Sequence, residues 1–233
     1  MAAREIVAVL RGNPVFAGIP VRELESLAAV AREETHRARA SLFMEGDASR
    51  WFYVVKSGHV KIVRHAKTGK DVVLELLGPG EIFGGVAVIE QRPYPASAES
   101  TELTVVIKIP ADPMVSLAER HPAVIKEMAL MLGRRLRSAH DSVTSLAVDP
   151  VEARLAATLV RLATREGTKG GTGVTLPFHL TRQSLADMTG TTVETAIRIL
   201  GRWTRDGLLD DDAGRLVLTD REALAALAEG ETD

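Results

Sequence analysis

Thr181-Arg182-Gln183-Ser184-Leu185-Ala186-Asp187-Met188-Thr189-Gly190-Thr191-Thr192-Val193-Glu194-Thr195-Ala196-Ile197-Arg198-Ile199-Leu200 decides the fold, because it has the layout of two short helices joined by a tight turn. Thr181 suits the cap of a first helix, Ala186 lets a second helix approach closely, Gly190 supplies the turn and Thr192 caps the second helix. On that second helix Ala196, Ile199 and Leu200 face inward. Val193, Glu194, Ile197 and Arg198 share the outward N-terminal face by i, i+4 geometry, placed to enter a DNA major groove. An arginine donates in bidentate fashion to guanine O6 and N7, and a glutamate accepts from cytosine N4, so Glu194 and Arg198 together suit a G·C step. The competing reading is an ion pair on a solvated helix, worth about 0.3–0.5 kcal/mol. The surroundings favour DNA: residues 181–205 carry Arg182, Arg198, Arg202 and Arg205 against Asp187 and Glu194, in a chain of net charge −2. Leu208 to Leu218 then reads as strand, turn and strand, a wing beside the two helices.

Upstream, Asp149-Pro150 suits an N-cap followed by a first helical residue, so a helix is expected through Glu152, Arg154, Leu155, Leu159 and Leu162. Gly167-Thr168-Lys169-Gly170-Gly171-Thr172-Gly173 lacks the phosphate-loop spacing and reads as a mobile surface loop. From Pro113 the grammar turns helical, with no glycine but Gly133 until Gly167. Its apolar series Ile125, Ala129, Leu132, Leu136, Ala139, Val143 and Leu146 alternates by four and three, the seam of a helix facing a partner helix, and predicts a homodimer. Arg134, Arg135 and Arg137 flank the seam; the alternative is a helix packed only on its own β domain. From Arg22 to Pro110, glycines at 46, 58, 69, 78, 80, 84 and 85 separate short β-type runs such as Trp51–Val55, His59–Val63, Asp71–Leu77 and Thr104–Ile109. That pattern predicts a β sandwich or barrel.

The chain of 233 residues, 45% hydrophobic and 26% charged, has room for two globular domains. Apolar runs such as Val86–Ile89 fall far short of the ~20 residues of a membrane helix, and Arg4 and Glu5 near the start do not read as a signal peptide. A cytoplasmic protein with no membrane partner is expected. The absence of cysteine excludes disulfides, thiolate zinc sites, a cysteine nucleophile and cysteine-ligated iron–sulfur clusters. An enzyme or a small-molecule binder built on the β domain is the reading from another class. Nothing supports it: HExxH, GxSxG and phosphate-loop motifs are all missing, so no enzyme is expected.

Gly46-Asp47, Tyr53–Gly58, Gly78–Gly84, Arg134-Arg135-Leu136, Leu180–Ala186 and Val193-Glu194-Thr195, in that order, resemble the CRP/FNR superfamily of bacterial transcription regulators over nearly the whole chain. The resemblance implies an α+β fold: an N-terminal double-stranded β-helix (β-roll, cyclic-nucleotide-binding-like) sensor domain at 1–111, a dimerisation helix at 112–148 and a winged helix-turn-helix DNA-binding domain at 149–233. It implies double-stranded DNA, a second copy of the chain and RNA polymerase as partners, with DNA contacts from Thr181, Arg182, Gln183, Thr192, Val193, Glu194, Ile197, Arg198 and Arg202. Val193 replaces an extra arginine of the cAMP receptor type, which makes the reader FNR-like and implies TTGA-type inverted repeats; Ile197 departs from the serine of that type.

In cAMP-binding members a glutamate holds the ribose hydroxyl and an arginine neutralises the cyclic phosphate. Gly85 and Pro95 stand at those positions here, and Ala139 and His140 at the adenine contacts, so cAMP is not expected. An effector would meet Gly84, Gly85, Val86, Arg92, Tyr94, Ala96, Ser97, Ala139 and His140. Since a four-cysteine cluster is impossible, a haem, another apolar small molecule or no effector remain; the resemblance to haem-dependent nitric-oxide regulators makes haem the leading cofactor, with His140 as axial ligand, and the plainer reading of His140 is a partly exposed helix residue. A constitutive regulator, controlled by abundance alone, would share the same seam and reader.

Overall fold

A computed structural model describes residues 2–66, 71–171, 173–212 and 214–230. The chain divides into two compact units, one formed up to residue 64 and over 75–138, the other from 65–74 and 139–233.

The first unit opens with α1 (Ala2–Gly12) and α2 (Val21–Val30). Strands follow: β1 (Arg32–His36), β2 (Ser41–Phe43), β3 (Trp51–Ser57), β4 (Val60–His65), β5 (Asp71–Leu77) and β6 (Ile82–Phe83). A short α3 (Gly85–Ile89) precedes β7 (Ser97–Ser100) and β8 (Thr104–Pro110). Two four-stranded sheets result, in the orders β1-β8-β3-β6 and β2-β7-β4-β5. Strand alternation sorts side chains to two faces. Phe52 and Val54, paired with Ile109 and Ile107, join Phe16, Leu24, Met114 and Leu117 in a core under the helices. Tyr53 and Val55, paired with Lys108 and Val106, turn the other way and join Phe43, Val60, Phe83, Tyr94 and Ala98. The glycine-punctuated runs form two β sheets, as the sandwich-or-barrel pattern predicts, in the β-roll arrangement that the family resemblance implies.

Helix resumes at α4 (Ala111–Arg120), breaks at His121 and continues as the 27-residue α5 (Pro122–Val148). The next helix, α6 (Val151–Glu166), starts one residue later than expected: Pro150 occupies the N-cap with φ −57° and ψ 151°, and no side chain caps it. Asp149 is therefore not the cap. Proline fixes φ and cannot continue the ladder of α5, which is sufficient to separate the two helices.

The glycine-rich stretch, expected to be a loop, instead forms β9 (Thr168–Gly170) and β10 (Gly173–Thr175). Val174 pairs with both Lys169 and Leu218, so the hairpin adds to the wing sheet. Thr172 lies outside the described residues. Then come α7 (Arg182–Thr189), α8 (Val193–Arg205), β11 (Leu209–Asp212), β12 (Arg215–Leu218) and α9 (Arg221–Ala228), with the sheet ordered β11-β12-β10-β9. Leu155, Leu159, Phe178, Leu185, Ile199, Trp203, Leu218 and Leu224 are buried at its core.

Candidate nucleic-acid interface

Local chemistry sets the reader. Thr181 Oγ1 accepts from Ser184 N at 3.0 Å and starts α7; Gly190, at φ 62°, ends it in the left-handed conformation that favours glycine. Thr192 Oγ1 accepts from Thr195 N at 3.2 Å and starts α8. Ala196, Ile199, Leu200 and Trp203 are buried beneath α8, while Glu194, Ile197 and Arg198 are exposed and Val193 is half-buried. The outward face is the one expected, and it presents an acceptor, a donor and an apolar side chain together. Ile197 keeps 53% of its surface open.

The Glu194 carboxylate bonds its own backbone N–H and the Thr192 hydroxyl, which hold its pKa below the usual carboxylate range. It stands as an ionised acceptor on the outward face. Among the described residues no ion pair joins Glu194 to Arg198, so the solvated-pair reading has no geometric support.

The other expected contacts are placed variously. Gln183 Nε2 donates to Asp187 at 2.7 Å, and Arg182 lies 3.4 Å from Asp211 of the wing. Arg202, expected to face DNA, pairs with Glu152 of α6. Sequence reasoning missed that pair, for its members are 50 positions apart. Also missed was the sign of the wing, where Asp210, Asp211 and Asp212 stand exposed on β11.

Along α5 the seam residues Ile125, Leu132, Leu136, Val143 and Leu146 keep 38–57% of their surface open in four cases and 65% at Val143, and Ala129 and Ala139 are exposed. Val124 and Met128 are the residues of α5 buried on the β-roll unit. The seam is thus a separate apolar stripe, against the alternative in which the helix spends it on its own β domain. Arg135, one of the flanking arginines, instead donates to Ile82 O at 2.7 Å.

The expected effector residues carry little that binds a ligand. Gly84 adopts φ 79° and starts α3, and a Cβ at Gly85 would stand 2.3 Å from the Phe52 ring, so no carboxylate fits there. Tyr94 is buried, its ring stacked 3.8 Å from Phe43 and its hydroxyl donating to Trp51 O at 2.9 Å, and burial pushes the phenol up. Ala96 is buried, and Ser97 accepts from Glu45 N at 3.0 Å. Val86, Arg92, Ala139 and His140 are exposed. Among the described residues no group of three His, Cys, Asp or Glu side chains is arranged to hold a metal ion, and no helix is long and apolar enough to cross a membrane.

Comparison with known proteins agrees with this layout. The family model for the cyclic nucleotide-binding domain matches residues 33–121, and that for the Crp-like helix-turn-helix domain matches 153–227. The chain is 27% identical to the cyclic AMP receptor protein of Thermus thermophilus, over 95% of this chain and 99% of the relative. It is also 27% identical to the fumarate and nitrate reduction regulatory protein of Salmonella typhi, over 85% of this chain and 79% of that one. The structure of FixK2 from Bradyrhizobium japonicum shares the fold, with TM-score 0.76 and 24% identity over 85% of this chain and 97% of that chain. With a cyclic nucleotide-binding domain ahead of a Crp-like helix-turn-helix domain, the chain belongs to the CRP/FNR family of transcription regulators.

Proposed function

We propose that the protein is a homodimeric transcription regulator that reads TTGA-type inverted repeats through α8 and does not answer to cyclic nucleotides. The observation that carries this reading is the exposed Glu194, Ile197 and Arg198 face over a fully buried opposite face. Thr181, Arg182, Gln183 and Thr192, at the starts of α7 and α8, supply backbone contacts that set its register. The open seam on α5 supports the dimer, and two copies related by a two-fold axis suit an inverted repeat. RNA polymerase, as the enzyme a transcription regulator acts on, is the remaining partner.

The sensor half fits neither candidate group. For a cyclic nucleotide, Gly85 has no room for the ribose-binding carboxylate and Pro95 supplies no charge for the phosphate. For haem, His140 and Tyr94 carry the ligating atoms among the expected residues; the Tyr94 hydroxyl is spent on Trp51, leaving one exposed imidazole. For the sensor half this favours either another apolar small molecule or a regulator set by its abundance alone.

Competition binding tests the proposal. At moderate salt the protein is expected to prefer a TTGA-type palindrome over scrambled DNA by ~10³ or more. Equal affinity for both refutes it.

A further inference from the structure

The start of α6 lies against the far end of the reader. Glu152 Oε1 accepts from Trp203 Nε1 at 2.9 Å and from Arg202 Nη2, so one carboxylate oxygen holds two consecutive residues near the end of α8. Burial works against ionisation of this carboxylate, but the bonds from Arg202 and Trp203 together outweigh it and hold its pKa below the usual range. Two residues on, Arg154 Nε donates to Thr189 O at 2.9 Å, at the end of α7, and its Nη1 donates to Asp149 O at 2.8 Å, at the break before α6. A Cβ at Gly190 would stand 2.7 Å from Leu146 of α5, so the turn between α7 and α8 is seated there as well.

We propose that Glu152 is a positioning residue for DNA reading, which fixes the tilt of α8 through Arg202 and Trp203, and that Arg202 acts through Glu152 and not on DNA. The proposal rests on α8 being the base-reading helix. With ~1.5 Å rise per residue, Glu194 lies about 12 Å from the anchor at Arg202, and a tilt of about 5° there moves it by roughly 1 Å. Base-edge hydrogen bonds weaken steeply over that displacement, whereas phosphate contacts made by long flexible side chains do not. Loosening the anchor therefore takes away sequence preference and spares general affinity. A residue that merely supports the fold would lower both in proportion to the folded fraction.

The test uses the full chain with two duplexes: one enriched from a random pool by the wild-type protein, and a scrambled control, both followed by fluorescence anisotropy. Glu152→Gln keeps an oxygen for Trp203 but loses the ion pair; it and Arg202→Gln are each expected to weaken the enriched duplex roughly tenfold and to leave the control within about twofold. The double variant is expected to be no worse than either single one. If Arg202→Gln instead weakens both duplexes alike, and by the same factor with Gln at 152, Arg202 is a direct phosphate contact and the proposal is overturned. Should Glu152→Gln fail to fold, Arg202→Met decides: it keeps the apolar stem but neither charge nor donor toward Glu152, so it should weaken the enriched duplex as Arg202→Gln does and leave the control within about twofold, and an equal loss on both duplexes overturns the proposal. A wild-type protein that enriches no sequence refutes the reader itself and the proposal with it, a result distinct from enrichment that the variants leave intact.

Discussion

On the proposed reading, Glu194 and Arg198 divide the recognition of one base pair. The carboxylate is pre-held at the start of α8 by Thr192 and its own N–H, while Arg198, one turn on, stands exposed. Replacing Arg198 by alanine should cost ~1–3 kcal/mol and relax preference at one base pair, whereas Arg205→Ala should weaken all sequences alike and lower the salt slope by about one. Titrations against duplexes substituted at each position check this, and a uniform loss at Arg198 contradicts it. Residue-level features set by local chemistry were legible in the sequence: Thr181 and Thr192 as caps and Gly190 as the turn need only their immediate neighbours. Features set by distant residues were not. Glu152 and Arg202 meet only after α8 has folded back on α6, and neither periodicity nor composition announces them. Asp149 was misplaced for a related reason, since an Asp-Pro pair fits two cap assignments one residue apart.

Among the elements, α5 carries the most consequence. Its heptad alternation was readable because the stripe at Leu132, Leu136 and Val143 is spared by the fold, while Val124 and Met128 do the packing on the β-roll. A charge placed in the seam would face its own copy across the two-fold axis in a desolvated interface. Leu136→Glu should therefore weaken self-association roughly 10²-fold or more, measured by sedimentation equilibrium, with little change in the thermal unfolding of the isolated chain. A variant that dimerises as the wild type does would show that the stripe is not the interface. The β9–β10 hairpin was hidden for the opposite reason. Its glycines suggest a loop, and the strand signal is confined to Val174 and Thr175, which become a strand only because β12 offers them an edge. The stacking of Tyr94 on Phe43 and the bond from its hydroxyl to Trp51 O could not be read from residue types alone, because the partners lie about fifty residues away in the chain.

At the scale of the whole molecule, a chain of net charge −2 with an acidic strand in its wing cannot depend on bulk electrostatic attraction to DNA. On the proposed reading, affinity comes from the positive reader and from two readers acting at once. Two copies joined along α5 are expected to place their α8 helices about 34 Å apart, one turn of DNA. The direct test compares three duplexes of equal length: an inverted TTGA-type repeat at one-turn spacing, the same repeat with half a turn inserted between its arms, and one arm alone. The insertion should reduce affinity by about 10²-fold or more, to the level of the single arm. Equal binding to all three would contradict a dimer that reads DNA through two fixed helices.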